Sequence, residues 1–271
     1  MSLISESLAT VRKEWFVSIR YPGWWIRSSI TPFLALARTV FMAITIQLTG
    51  SSESFQLLSG TDNYVGFVTI GMVLYMWAES VLWGPGWALY DEQKSGTLPS
   101  VFTTPANRAS PIIGKLLFDC AENLVSSVLL VGVAAVVFGF SLRVNVGQAF
   151  LAVLATALAL YGFSLIFAAF VVTAKDANSV SGLIGLVFMV FSGTTYPISA
   201  LPTWLRPLTY ISPLTWGIDA CRQALLTGKS WLSSPTGYWL FGYATVLPVV
   251  GWLFFTRCVD RSRKAGTFGL F

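Results

Sequence analysis

Asp91-Glu92-Gln93-Lys94-Ser95-Gly96-Thr97-Leu98, followed by Thr103-Thr104-Pro105-Ala106-Asn107-Arg108 and Gly114-Lys115, forms a polar island between two long apolar runs. A few residues suffice to turn a chain at a membrane surface. A polar segment this long therefore predicts a surface that meets something in the aqueous phase. Glycine at 96 allows a sharp turn, Ser95 and Thr97 are N-cap candidates for a short helix, and Asp91 and Glu92 precede them.

The rest of the chain is built for lipid. Of 271 residues 55% are hydrophobic and only 11% charged, with mean hydropathy +0.69, against about 25% charged in soluble domains. Six apolar segments, at 24–48, 64–89, 112–140, 146–173, 179–196 and 238–255, approach the length that crosses a bilayer. Eleven tryptophans suit the headgroup level. The expected fold is an all-α membrane protein with six transmembrane helices in one transmembrane domain, 1–271.

Ahead of the first span, Leu3, Ile4, Leu8, Val11, Trp15, Phe16 and Ile19 recur near helical spacing. Residues 1–22 thus predict an amphipathic helix lying on the membrane surface; a solvated tail is the alternative. The stretch has no apolar core or small-residue cleavage site of a secretory signal. Placing the N-terminus inside puts Arg12, Lys13, Arg20, Arg27, Lys94, Arg108, Lys115, Lys175, Arg257, Arg261, Arg263 and Lys264 on the inner side. Arg143, Arg206, Arg222 and Lys229 fall outside. Twelve against four is the positive-inside bias, so both termini and the island at 90–111 are expected in the cytoplasm, with a tail at 257–271. The +5 net charge follows from this topology and does not indicate nucleic acid.

The connection at 197–235 carries Pro197, Pro202, Pro207, Pro213 and Pro235 together with Trp204, Leu214, Trp216 and Leu226. Prolines that start or break helices, combined with apolar content, predict short helices dipping into the outer leaflet. Within it, Asp219 and Arg222 at i, i+3 suit a local salt bridge.

Functional chemistry is mostly excluded. There is no histidine, and Cys120, Cys221 and Cys258 are scattered, so neither a histidine-based triad nor a zinc or disulfide framework is available. Gly228-Lys229-Ser230 lacks the first glycine of a phosphate loop, whose place Gln223 holds. Absence of an internal repeat disfavours an inverted-repeat secondary transporter.

The motifs together resemble an ABC type-2 permease, the membrane subunit of a bacterial or archaeal exporter. The acidic residue, spacer and Gly-Thr-Leu of 91–98 are similar to that family, as are Thr103-Thr104-Pro105-Ala106-Asn107-Arg108 and Gly114-Lys115-Leu116-Leu117. So is Pro207-Leu208-Thr209-Tyr210-Ile211-Ser212-Pro213-Leu214-Thr215-Trp216-Gly217-Ile218-Asp219-Ala220-Cys221-Arg222. Pro99 and Gly84-Pro85-Gly86 depart from the pattern. The resemblance implies a pump in the cell membrane, powered by two copies of a separate ABC ATPase that binds ATP and Mg. This chain would itself carry neither cofactor nor metal. A second permease copy, or a homologous permease, would complete it. It assigns the coupling of ATPase to transport to Asp91, Glu92, Ser95, Gly96, Thr97, Leu98, Thr104, Pro105 and Arg108, in a coupling helix between spans 2 and 3. The drug and lipid exporters are the nearest branch; polysaccharide or lipooligosaccharide export is the alternative, and an ion-coupled transporter a further one.

Within the spans, Arg38 and Glu79 fall near mid-bilayer, where an isolated charge costs about 2.5–3.5 kcal/mol. They read as a structural pair, or as groups facing a hydrated cavity. Lys115, Asp119 and Glu122 share one helix face, as a hydrated salt-bridged face or as a latch to the surface helix around Arg12 and Lys13. Ser179, Ser181, Gly182 and Gly185 allow close helix contact. Phe67, Tyr75, Met76, Phe188, Met189 and Phe191 are candidates for a lipophilic path, with plain packing as the other reading.

Overall fold

The computed structural model describes residues 3–20, 22–48, 52–61, 63–84, 110–139, 145–173 and 177–264. Within these the chain is mostly helical with no strand among the described residues, and the fold is built around one central helix. In chain order these are α1 (Leu3–Arg20), α2 (Pro22–Leu48), α3 (Ser52–Ser59), α4 (Tyr64–Trp83), α5 (Ser110–Phe138), α6 (Val146–Thr173) and α7 (Ala177–Phe191). A 3-10 turn (Ile198–Ala200), α8 (Arg206–Ile211), α9 (Pro213–Arg222), a π-helical turn (Gln223–Thr227) and α10 (Pro235–Lys264) follow.

Four of these helices are long and apolar enough to cross a membrane: Tyr64–Trp83, Ile113–Phe138, Val146–Phe170 and Pro235–Cys258. The apolar runs in α2 and α7, Ile30–Met42 and Val180–Phe191, are shorter. The α4 helix begins at Asn63, whose side chain accepts the Gly66 N–H at 2.8 Å and thereby satisfies one of the open donors of the first turn. It ends at Trp83, short of the expected residue 89, because the backbone leaves the helical region at Gly84 (φ −84°, ψ −93°).

Burial separates inner from outer helices. In α4, 72% of the apolar window is buried, against 11% in α5. Trp77, Leu74, Leu82 and Val68 of α4 meet Leu36 and Val40 of α2, Leu130 of α5, Leu160 of α6 and Leu214 and Ile218 of α9. An apolar face left outward on this scale, as with Val128, Leu129 and Val136 of α5, is what a helix facing hydrocarbon presents.

The most extensive helix pair is α6 against α10. A Cβ on Gly162 would strike the Leu247–Pro248 backbone, and one on Gly251 would strike the Gly162 carbonyl. Two glycines thus let the backbones touch, which is how helices associate where lipid removes the hydrophobic drive. The fifth apolar run contributes less to close contact. Gly182 has open space around it, whereas Gly185 lies in ordinary contact with Tyr75 and Leu82.

The short surface helix α1 packs on α5 with an inverted pattern. Its buried residues are Ser7 and Ser18, while Leu8, Trp15, Phe16 and Ile19 point away from the protein. Gly114 of α5 is the crossing point, since a Cβ there would meet the Ser7 carbonyl and Thr10. Glu6 in the first turn and Arg20 in the last complement the helix dipole.

Candidate functional site

Two polar centres lie at opposite ends of α4. At the α1 end, Lys115, Asp119, Asn123 and Ser127 recur every four residues along α5 and so line one face. Lys115 Nζ is 2.7 Å from Asp119 Oδ1 and 3.8 Å from Glu14 Oε2 of α1. Deeper, Asn123 Nδ2 donates to Ser80 Oγ at 2.8 Å, and Trp77 Nε1 donates to Ser127 Oγ at 2.7 Å. The stripe therefore bonds α5 to α1 at its outer end and to α4 further in. Asp119 Oδ2 is buried and, among the described residues, has no hydrogen-bond partner; it lies 2.8 Å from where a Cβ at Gly84 would stand. Glycine is what fits there as α4 ends. The latch to the surface helix exists, with Glu14 as the α1 partner in place of Arg12 or Lys13.

At the other end the centre is Arg222, the last residue of α9. Its guanidinium donates to the Phe67 carbonyl of α4 through Nε (3.2 Å) and Nη2 (2.9 Å). It also reaches the Gly193 carbonyl (2.9 Å) and the Thr194 carbonyl (2.9 Å) just beyond α7. The plane sits over the Phe67 ring, 3.3 Å from Cζ to the centroid. One side chain thus ties α9, α4 and the end of α7 together. Gly71 makes room, because a Cβ there would overlap the Thr194 carbonyl and approach Arg222 Nη2. Gly193 takes φ +67°, a left-handed conformation that glycine adopts without strain. Loss of water pulls the Arg222 pKa down to about 9, with Asp219, Cys221 and Tyr64 acting in the opposite sense. The group stays cationic at neutral pH.

The expected Asp219–Arg222 ion pair is not formed. Asp219 Oδ2 accepts Thr236 Oγ1 at 2.6 Å and Gln223 Nε2 at 2.9 Å, while Arg222 turns to the carbonyls. The physical reason is supply: the turn that follows α7 presents the Gly193 and Thr194 carbonyls, which lie outside any helical ladder. A forked donor answers several of them at once. A cavity of about 260 Å³ opens beside these groups, walled by Ser59, Phe67, Thr215, Asp219 and Gln223 among others.

The other sequence expectations fall as follows. Asp91, Glu92, Ser95, Gly96, Thr97, Leu98, Thr104, Pro105 and Arg108 lie outside the described residues. Arg38 and Glu79 are both exposed and, among the described residues, no ion pair joins them; Glu79 accepts the Tyr75 hydroxyl at 3.0 Å. Tyr75 also lies 3.3 Å from the Gly185 carbonyl, so α4 and α7 meet beside Glu79. Of the lipophilic-path candidates, Phe67 and Phe188 are core residues. Phe188 packs on Phe163 at 5.3 Å between ring centroids, and Phe67 serves the Arg222 centre. Tyr75, Met76, Met189 and Phe191 are half-buried. Sequence reading missed the continuation of the α5 stripe to Asn123 and Ser127; their i+4 spacing from Lys115 and Asp119 was the signal.

With this architecture in place, comparison with known proteins assigns the class. Residues 18–226 match the family model described as ABC-2 type transporter, and the chain belongs to that family. Similar proteins include the probable doxorubicin resistance ABC transporter permease protein DrrC of Mycobacterium tuberculosis, 22% identical over 222 residues. That match covers 75% of this chain and 73% of DrrC. The probable multidrug ABC transporter permease YbhR of Escherichia coli is 25% identical over 175 residues, covering 62% of this chain and 46% of YbhR. The ABC transporter G family member 20 of Dictyostelium discoideum is 24% identical over 169 residues, covering 62% of this chain and 23% of that protein. The chain thus spans under a quarter of the Dictyostelium relative and less than half of YbhR.

Proposed function

We propose that this chain is the permease subunit of an ATP-driven exporter that moves a lipophilic, drug-like or lipid-like substrate out across the cell membrane. The observation that carries the reading is the family match over 18–226, a stretch that takes in every motif on which the resemblance rests. Relatives named as a doxorubicin resistance permease and a multidrug transporter permease favour the drug branch over polysaccharide export. Two copies of a separate ATPase hold ATP and Mg, and a second permease completes the pore. Six spans, counting α2 and α7, place both termini in the cytoplasm with α1 at the inner lipid surface. Its outward Leu8, Trp15, Phe16 and Ile19 support that placement.

The island at 90–111 docks on the ATPase, with Glu92 and Arg108 as charged contacts and Gly96 as the turn. It joins the two helices that Asn123 and Ser127 of α5 bind to Ser80 and Trp77 of α4, so a push on the island reaches α4 and α5 as one unit. Exposed Arg38 and Glu79 cannot cheaply face hydrocarbon; they face the second permease or a hydrated path.

Purification of the tagged chain from its native membranes tests the reading. A stoichiometric subunit carrying a phosphate loop is expected; recovery of the chain alone under several mild detergents would overturn it. In the reconstituted complex, Glu92→Arg and Gly96→Pro are expected to leave assembly intact and to abolish substrate-stimulated ATPase activity. Unchanged stimulation in both would remove the island from the coupling role.

A further inference from the structure

We propose that Arg12 of the surface helix α1 holds the phosphodiester headgroup of an anionic phospholipid in the inner leaflet. The inference rests on the placement of α1 at the inner lipid surface and deepens it by naming the lipid this helix selects. It is carried by where the charges of α1 stand on its faces.

Arg12 lies in the middle of the outward apolar stripe. Leu8 at i−4, Trp15 at i+3, Phe16 at i+4 and Ile19 at i+7 share its side of the helix. Their exposures are 57%, 51%, 57% and 56%, so the protein itself covers none of them. Arg12 is exposed among them. Its guanidinium carbon stands 5.4 Å from the centroid of the Phe16 ring, a cation–π contact that consumes none of the guanidinium's N–H donors. Among the described residues, no hydrogen bond or ion pair engages those donors.

The acids of α1 stand off this stripe. Glu14 is half-buried toward α5, 3.8 Å from Lys115 Nζ and 3.6 Å from Lys13 Nζ. Glu6 is half-buried as well, about 120° around the helix from Arg12. The exposed charges of the helix are therefore Arg12, Lys13 and Arg20, all cationic. Two features together select the partner. Apolar side chains on every side of Arg12 enter the hydrocarbon and hold the guanidinium at the level of the phosphates. The planar fork then takes two phosphate oxygens at once. An acidic protein surface would satisfy the fork and leave the apolar side chains uncovered. A zwitterionic headgroup brings its own cation toward Lys13 and Arg20, whereas an anionic one does not. Each basic residue at an anionic leaflet strengthens binding about fivefold.

The test is native mass spectrometry of the purified permease, without ATPase, titrated with dioleoylphosphatidylglycerol or dioleoylphosphatidylcholine. The first phosphatidylglycerol is expected to bind about fivefold more tightly than the first phosphatidylcholine. Arg12→Gln is expected to remove that preference. The double variant Arg257→Gln/Arg261→Gln, which removes exposed cations of α10, is expected to keep it. Equal affinity of the two lipids in the wild type overturns the anionic class, and an unchanged preference in Arg12→Gln overturns the site. Excess inorganic phosphate is expected not to displace the lipid; displacement would make a free anion the ligand. Loss of the ATPase from Arg12→Gln complexes with the lipid preference intact would give Arg12 a protein partner instead. The placement of α1 is read separately. The Trp15 share of the emission, wild type minus Trp15→Phe, should be quenched by dibrominated phosphatidylcholine. Quenching without a lipid preference sinks the headgroup assignment alone, and absence of quenching sinks the placement. The export reading stands in either case, because co-purification with the ATPase decides it.

Discussion

The two ends of α4 are pinned by opposite chemistry. At the α9 end a cationic side chain answers backbone carbonyls, four bonds from one guanidinium. At the α1 end side chains answer one another, Lys115 with Asp119 and Glu14, Asn123 with Ser80, Trp77 with Ser127. The difference lies in what can be repaired. A carboxylate that loses its cation can take up a proton, but a backbone carbonyl that loses its donor has no second protonation state. The Arg222 end should therefore be the brittle one.

Arg222→Leu is the largest expected effect. It leaves the Gly193 and Thr194 carbonyls, which lie outside any helix, without the Arg222 donor, and each unsatisfied buried group costs about 1–3 kcal/mol; the Phe67 carbonyl keeps its helical partner. A loss of about 2–5 kcal/mol is expected from the two orphaned carbonyls, read as thermal unfolding of the detergent-solubilised protein by fluorescence-detected size exclusion. Arg222→Lys should recover only part, because an ammonium is a point donor and cannot span three carbonyls as the fork does. Full recovery by lysine would show that charge alone matters at this end and would erase the contrast. Gly71→Val comes next. Its added carbons meet the Thr194 carbonyl and Arg222, and overpacking of this kind costs about 1–3 kcal/mol. A neutral Gly71→Val would mean that the α7 end yields easily and that the guanidinium is not held in one place.

How much of this was legible in the sequence follows from the same contrast. Apolar runs announce helices at any position, and the proline spacing around 197–235 announced short ones. The α5 stripe was half legible, since Lys115 and Asp119 repeat with helical period and only Asn123 and Ser127 went unread. The Arg222 centre was not legible. Asp219 and Arg222 at i, i+3 look like a pair, and the groups that actually engage the arginine are carbonyls of Phe67, Gly193 and Thr194, which carry no side-chain signature. Gly71 was equally silent: a glycine in an apolar run gives no hint that a carbonyl from a distant turn will press on it. Burial was also hidden, because α4 and α5 are both long apolar runs and the outward α5 is the more apolar of the two, yet α4 is the core.

At the α1 end, Lys115→Met should cost about 1–3 kcal/mol, the price of leaving a buried polar partner unpaired. The double variant Lys115→Met/Asp119→Asn should regain most of that, since the orphaned charge is gone. The comparison is sharpened if this rescue succeeds while no partner change rescues Arg222→Leu. It is broken if the double variant is worse than Lys115→Met alone, for then Asp119 has a role apart from Lys115.

The smallest expected effect separates hydrogen bonding from packing in the same stripe. Trp77 is 2% exposed, and its Nε1 donates to Ser127 Oγ, whose own hydrogen goes to the Asn123 carbonyl at 2.6 Å. Ser127→Ala leaves a buried indole N–H with no acceptor and should cost about 1–2 kcal/mol. Trp77→Phe removes the donor itself, leaving only an oxygen lone pair unused beside a small void, and should cost about 1 kcal/mol in hydrogen bonding. In the double variant the orphaned donor is absent, so the Ser127→Ala penalty should largely vanish. The thermal shifts of the four proteins should then show a coupling of about 1 kcal/mol. Additive shifts would mean that Trp77 is held by the apolar cluster it shares with Val81, Leu36 and Leu160 and that the hydrogen bond adds nothing. The repairable chemistry at this end would then reduce to Lys115 and Asp119, at the edge of the bundle, with ordinary apolar packing pinning α4 beyond them.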